Sequence, residues 1–354
     1  MTSRGADPFE ILRQFAPGTP LRHAVELVLR QGSGALIIVG SGPIVEQVCS
    51  GGFFLDNSAF SAQKMAELAK MDGGIVLDDD AGFILRANVQ FIPDPTIVTQ
   101  ETGTRFRTAE RLASQTSKPI LAISEEGRRF AVVHRNGARH ELRAPTALQA
   151  DANQTLNALE RLRRMLNEAE ATLTQREVDD VVIVKDVVKL IQRAALVHRL
   201  FADVQRTIAE LGGEGRLVAI QAADLIEGVD TTARLVDDDY AKRRTRRRRP
   251  VFERLASIPT GELYDTGRIS GALGMDKLDA VVRPRGLRVL AGVPRLPETV
   301  KDALVAHFRD LQRLLHATVG DLDEVEGVGR ARARQLRTYL DRLHEMGSGV
   351  DPSD

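Results

Sequence analysis

The sequence predicts an α/β domain followed by two all-helical regions, and three observations lead to that architecture. Up to about residue 145, short β-branched runs alternate with helix-sized segments. Between Pro145 and Pro250 no proline interrupts the chain. Beyond Pro250 the helical pieces fall into two related units about 35 residues apart.

In the first region the strand-sized runs are GALIIVG (34–40), GGIVLD (73–78), ILRANVQFIPDP (84–95), PILAIS (119–124) and RFAVVHRNG (129–137). Helical segments are expected at IVEQVCSGG (44–52), SAQKMAELAKM (61–71) and RTAERLASQTS (107–117). Strands alternating with helices predict a mixed sheet flanked by helices, with hairpin character near 129–142. In the second region Leu159, Leu162, Leu166, Ala169 and Leu173 follow spacings of 3, 4, 3 and 4, which mark one face of a helix. A second long helix is expected over 178–211, ended by Gly212 and Gly213, although its β-branched VVIV also suits a strand. The expected domains are therefore 1–145, 146–249 and 250–354.

Composition narrows the function. Lys and Arg number 49 and Asp and Glu also 49, so no global field draws in nucleic acid and any such binding must be local. The lone Cys49 forms no intramolecular disulfide or cysteine metal cluster, and a reduced cytoplasmic setting is expected. No apolar run approaches the roughly 18 residues of a membrane span, and no membrane partner is expected. The acidic runs at 78–80 and 237–239 read as solvated loops. The run KRRTRRRRP (242–250) is either a solvated loop or an arm that attracts phosphates.

The C-terminal region carries a recognisable turn. In LDEVEGVGRARARQL, Leu322 and Val325 supply one apolar face and Val328, Ala331 and Leu336 another, with Gly327 and Gly329 bracketing Val328. Glycines there permit a close backbone approach, and the next helix starts with free N–H groups suited to a phosphate. Arg330, Arg332 and Arg334 add positive charge. The stretch resembles the helix-hairpin-helix motif, and the earlier GVPRLP, with Arg295, resembles its degenerate partner. The resemblance implies sequence-independent binding of duplex or branched DNA; a hairpin used only for packing is the alternative.

The N-terminal region lacks the common phosphate-loop, dinucleotide and metalloprotease motifs. Two compact features remain. Asp72 precedes a strand and is followed by Gly73 and Gly74; it suits either a divalent metal and a hydroxyl nucleophile or a simple turn. Gly103 and Thr104 lead into Arg105, Phe106 and Arg107, with Thr108 as an expected N-cap; two guanidinium groups beside a helix start suit a polyphosphate or surface salt bridges.

Taken together, MDGGIVLD, RANVQFIPDP and TGTRFRTAERLASQT resemble the DAC domain of diadenylate cyclases. The order of DAC domain, helical linker and helix-hairpin-helix units resembles the DisA family of DNA integrity scanning proteins over nearly the whole chain. The resemblance implies condensation of two ATP into cyclic di-AMP with Mg²⁺ or Mn²⁺, in a homo-oligomer, an octamer, whose synthesis branched DNA suppresses. It implies that Asp72 holds metal and activates the ribose 3′-hydroxyl. It also implies that Gly73, Gly74, Gly103, Thr104, Arg105, Phe106, Arg107, Thr108 and Ser124 serve the nucleotide, with Gly51 and Leu85 nearby. Gly74 stands where the family has alanine, and Phe106 where it has histidine. The first change is expected to loosen the backbone modestly. The second removes a phosphate donor, so a scaffold that binds nucleotide without turning it over is the rival reading.

Overall fold

The computed structural model describes residues 13–125, 130–241, 249–275 and 277–347, so 242–248 of the basic run lie outside the described residues. Two compact units emerge: one runs to Asn153 and includes Gln205–Ala219, the other comprises Gln154–Val204 and continues from Ile220.

The first unit is built in the order α1 (Pro20–Gln31), β1 (Ala35–Val39), α2 (Pro43–Gln47), β2 (Cys49–Ser50), β3 (Phe53–Ala59), α3 (Ala62–Leu68), β4 (Gly74–Leu77), β5 (Phe83–Phe91), α4 (Thr104–Thr116), β6 (Ile120–Ile123), β7 (Ala131–Arg135) and β8 (Ala138–Glu141). Its sheet runs β2-β5-β4-β1-β6-β7-β8, with β3 also paired to β5. β1 and β4 are parallel, and the other pairings are antiparallel. Strand alternation divides the apolar residues between two faces. Ile37, Val39, Ile75, Leu77, Leu121 and Ile123 meet α1 and α3 through residues such as Val25, Val28 and Met65. Ile38, Val76, Ile120 and Ala122 meet α2 and α4 through Val45, Leu112 and Ala113. The expected mixed sheet flanked by helices is therefore present, with two local corrections. The segment expected as helix at 44–52 ends at Gln47 and gives way to β2, and FFLDNSA forms β3, a strand that the alternation did not reveal. The acidic run at 78–80 is the expected loop, between β4 and β5 with Asp79 and Asp80 exposed; there Asp78 accepts the Phe83 N–H at 2.8 Å, and Asp79 pairs with Lys118 at 2.6 Å.

Long helices follow, α5 (Pro145–Val178) and α6 (Val184–Leu211). Of the five periodic residues on α5, Leu159, Leu166 and Leu173, seven apart, are buried, and Leu162 and Ala169 flank them half-buried. The ambiguous VVIV stretch resolves against a continuous helix. Residues 179–183 are turn and extended chain, and Ile183 bridges to Val281, so α6 starts six residues later than expected. Within the first unit, Arg143 ties the start of α5 to the end of α6 by pairing with Asp151 at 2.8 Å and Glu210 at 2.9 Å.

The chain continues through α7 (Arg216–Ile226), which starts in the first unit, and the second unit then holds α8 (Val229–Tyr240), α9 (Val251–Leu255), α10 (Thr266–Leu273), α11 (Leu287–Ala291), α12 (Glu298–Phe308), α13 (Leu311–Leu315), α14 (Val319–Asp323) and α15 (Gly329–Gly347). None of the described helices is long and apolar enough to cross a membrane. The acidic run at 237–239 is not a solvated loop: it lies on α8, where Asp237 and Asp239 are buried. Asp237 pairs with Arg254 at 2.5 Å, and the Asp239 carboxylate accepts the N–H groups of Leu287 at 2.7 Å and Arg288 at 2.9 Å, capping α11.

Beside that cap, Glu177 is paired with Arg288 and accepts the Tyr240 hydroxyl at 2.7 Å. Both Glu177 and the Arg288 guanidinium are largely buried, at 1% and 9% side-chain exposure, so removing one strands the other's charge. Arg288→Ala should lose about 3–5 kcal/mol of stability, read by chemical denaturation. Burial, aided by Glu177 and opposed by the two N–H bonds and Arg288, pushes Asp239 from 3.8 up to about 6. The raised value means that this group's contribution is complete below pH 3.8 and is lost as pH rises through about 6. Melting curves of Asp239→Asn should therefore gain on wild type as pH rises from 4 to 7.

Candidate functional site

The β4–β5 edge, the α4 N-terminus and the loop ahead of β1 enclose a cavity of about 570 Å³. Of the residues expected to serve a nucleotide, it gathers Asp72, Gly73, Gly74, Gly103, Thr104, Arg105, Phe106 and Thr108. Gly51, Leu85, Arg107 and Ser124 do not line it. Gly51 gives its carbonyl to Arg86 at 2.6 Å, and Leu85 packs into the sheet core facing α4. The part of β5 that reaches the cavity is Val89, Gln90 and Phe91, further along the strand. Ser124 is buried, and its hydroxyl accepts the Phe130 N–H at 3.1 Å, fixing the two ends of the 124–130 segment; Glu125 lines the cavity in its place. Ser33, Gly34 and Lys70 also line it. Only folding brings Ser33 and Gly34 beside Asp72, whereas Lys70 stands two residues before it in the chain.

Asp72 is exposed, and among the described residues its carboxylate has no hydrogen-bond or ion-pair partner. It therefore does not cap α3, whose C-terminal N–H groups are met by backbone carbonyls. Two glycines follow because β5 leaves no room for side chains. Asn88 takes φ +54°, and a Cβ on Gly73 would lie 2.4 Å from its backbone. A Cβ on Gly74 would lie 1.9 Å from Cε2 of Phe91. The space beside both glycines is thus filled from the neighbouring strand.

α4 begins at Thr104, earlier than the sequence suggests, and its N-cap is Gly103 at φ +79°, with no side-chain cap. Thr108 lies inside the helix and is not the cap. An uncapped start leaves the first N–H groups and the positive end of the helix dipole at the cavity wall. Arg105 crosses to the loop ahead of β1, where a Cβ on Gly34 would lie 2.2 Å from its Nη1, and it pairs with Glu125 at 3.0 Å. Phe106 stacks on Phe130, with ring centroids 5.0 Å apart and planes 14° apart, and packs against the apolar core beneath α4. Arg107 is exposed. Behind the helix, Glu110 accepts the N–H groups of Gln100 at 3.0 Å and Glu101 at 3.1 Å, which secures the loop leading into Gly103.

Similarity to known proteins bears on this arrangement. A family model described as DisA bacterial checkpoint controller nucleotide-binding matches residues 22–138, a span that contains the whole cavity. A second, described as DisA bacterial checkpoint controller linker region, matches residues 142–281. The DNA integrity scanning protein DisA of Streptomyces coelicolor is 45% identical over 97% of this chain and 94% of its own length. The chain belongs to the DisA family. Its DisA relative from Acidothermus cellulolyticus is 44% identical over 97% of this chain and 95% of its own length. The DisA protein of Kineococcus radiotolerans is 43% identical over 96% of each chain.

In the second unit, the residues expected to touch DNA lie on two short helix-turn-helix pairs, α11–α12 and α14–α15, around one apolar core. Gly327 and Gly329 have φ +84° and +64°, as the turn reading requires. Val328 is buried and anchors the turn from below, while Arg330, Arg334 and, on the first turn, Arg295 are exposed. Arg332 donates to the Gly327 carbonyl across the turn. The apolar face of α15 is carried by Ala333 with Leu336 and Leu340; Ala331 is exposed.

Proposed function

We propose that this protein condenses two ATP molecules into cyclic di-AMP, releasing two pyrophosphates, and that its C-terminal helices hold branched duplex DNA without reading its sequence. One observation carries the first half: an unpartnered carboxylate, Asp72, shares a cavity with Arg105 and an uncapped helix N-terminus. A polyphosphate suits the guanidinium and the free N–H groups, and a ribose hydroxyl suits the carboxylate.

Each ribose 3′-oxygen, as it loses its proton, bonds to the α-phosphorus of the other ATP, and the bond to the bridging oxygen of pyrophosphate breaks. Two such events close the ring. The described residues of a chain form one cavity with this constellation, so the second nucleotide comes from a facing copy, in line with the homo-oligomer and octamer that the family resemblance implies. Arg107, exposed on the same helix, is assigned to the phosphates of the facing nucleotide. Among the described residues no cluster of three or more ligating side chains exists, so Mg²⁺ or Mn²⁺ would rest on Asp72 and on substrate phosphates, a donor set that Mg²⁺ accepts. When bound, the ion would neutralise phosphate charge and favour the ionised hydroxyl. A cytoplasmic setting suits both ATP and DNA.

A specific feature favours a second reading. Phe106 is committed to its stack with Phe130 and offers phosphate no donor, which suits a scaffold that binds ATP or cyclic di-AMP without making it. Mass spectrometry after incubation of the purified protein with ATP and Mg²⁺ or Mn²⁺ separates the two: cyclic di-AMP supports the cyclase, and bound but unchanged ATP supports the scaffold.

For DNA, the α14–α15 turn is the proposed phosphate cradle, of the helix-hairpin-helix kind, with Arg330 and Arg334 beside it and Arg295 on the first turn. Gly327→Leu with Gly329→Leu should weaken binding of a four-way junction at least about tenfold, and Arg330→Ala should lower the salt slope by about one. Unchanged affinity in both titrations would reduce the turn to a packing element.

A further inference from the structure

Two glycines in the cavity wall have their missing side-chain space filled from elsewhere. Gly34 admits the Arg105 guanidinium, and Gly74 admits the Phe91 ring. Gly73 differs from both, because the group that presses on it is the Asn88 backbone, which cannot turn aside. At Gly74 the neighbour is a ring, with Cε2, Cδ2 and Cζ at 1.9, 2.5 and 2.6 Å from the position of a Cβ. No side chain can occupy position 74 while the ring stays where it is.

The backbone of Phe91 cannot retreat to make room. Phe91 pairs with Cys49 across β2 and β5, and the next residue, Ile92, donates its N–H to Val48 at 2.8 Å. Towards the interior, the ring abuts the close-packed cluster of Val45, Val48, Val76 and Leu112. Its remaining open side is the cavity that it lines together with Leu36 and Phe106. A ring displaced from Gly74 therefore moves into the space that holds the ligand.

From this geometry we propose that Gly74 and Phe91 form one specificity-determining unit: the bare backbone at 74 parks the Phe91 ring beside β4, and the parked ring sets the width of the cavity. The ligand class is a purine nucleoside triphosphate, so the inference rests on the nucleotide reading above. Phe91 and Phe106 supply its apolar wall, and Asp72, Lys70 and Arg105 its charged wall. In this arrangement Phe91 is a positioning residue: it decides what fits, and the charged wall does the chemistry.

The test is a double-mutant cycle in the full chain with a non-hydrolysable ATP analogue, measured by calorimetry, with thermal melting in parallel. Gly74→Ala should weaken analogue binding at least about tenfold. Gly74→Ala with Phe91→Leu, in which the shorter side chain clears the new methyl, should recover binding to within about threefold of wild type. A purely structural role would lower the melting temperature of Gly74→Ala without changing the affinity of the folded fraction, and that result would overturn the proposal. So would a double variant that binds no better than Gly74→Ala alone. Failure of wild type to bind the analogue would sink the nucleotide reading itself, and the width-setting role with it.

Discussion

Asp72→Asn is expected to abolish cyclic di-AMP formation while ATP still binds. The carboxylate lies in the cavity without a protein partner, so its removal breaks no internal hydrogen bond and the fold should be intact. Asparagine keeps the shape but neither accepts a proton at neutral pH nor neutralises a cation. Loss of a positioned base alone typically costs 10²–10⁴-fold, and loss of the metal contact adds to it. The readout is product by mass spectrometry beside calorimetry with the ATP analogue. Full activity in Asp72→Asn would remove Asp72 from the chemistry; loss of activity together with loss of fold would show it to be structural.

Phe106→His is expected to raise turnover by roughly tenfold to a hundredfold. A ring nitrogen at the α4 N-terminus restores a donor to phosphate, and one charge-assisted bond is worth about 1.5–3 kcal/mol, with each 1.4 kcal/mol close to tenfold in rate. The imidazole can keep the stack on Phe130, so the gain should not come from repacking. If wild type is silent and Phe106→His makes product, one side chain separates scaffold from enzyme. If wild type is active and the variant is no faster, the helix N–H groups and Arg105 already suffice for the phosphates.

Most of the first unit was legible because strand and helix periodicities are local. The runs at 34–40, 73–78 and 119–124 contain β1, β4 and β6, since β-branched residues buried on both faces leave a continuous apolar signature, and the run at 84–95 covers all of β5 but Phe83. FFLDNSA escaped notice because β3 lies beyond β5 at the sheet margin. Phe53 and Phe54 are exposed there, so burial imposes no pattern on it. In the site, Asp72, Arg105 and the glycines were legible as short motifs. Gly34 and Phe91 were not, because each joins the site through a loop or strand that only tertiary structure brings alongside.

The same division holds across the molecule. The sequence by itself determined the order of an α/β domain and two helical regions, the glycine-bracketed turn at 327–329, and Asp72 and Arg105, which carry charge into the cavity, because these depend on spacing along the chain. Only the tertiary structure decided that the acidic run at 237–239 caps a helix in the interior, that Phe106 lies against Phe130, and that Gly74 makes room for Phe91. Each of these is a contact between segments distant in the chain, where the free energy comes from excluded volume and burial that no local pattern encodes.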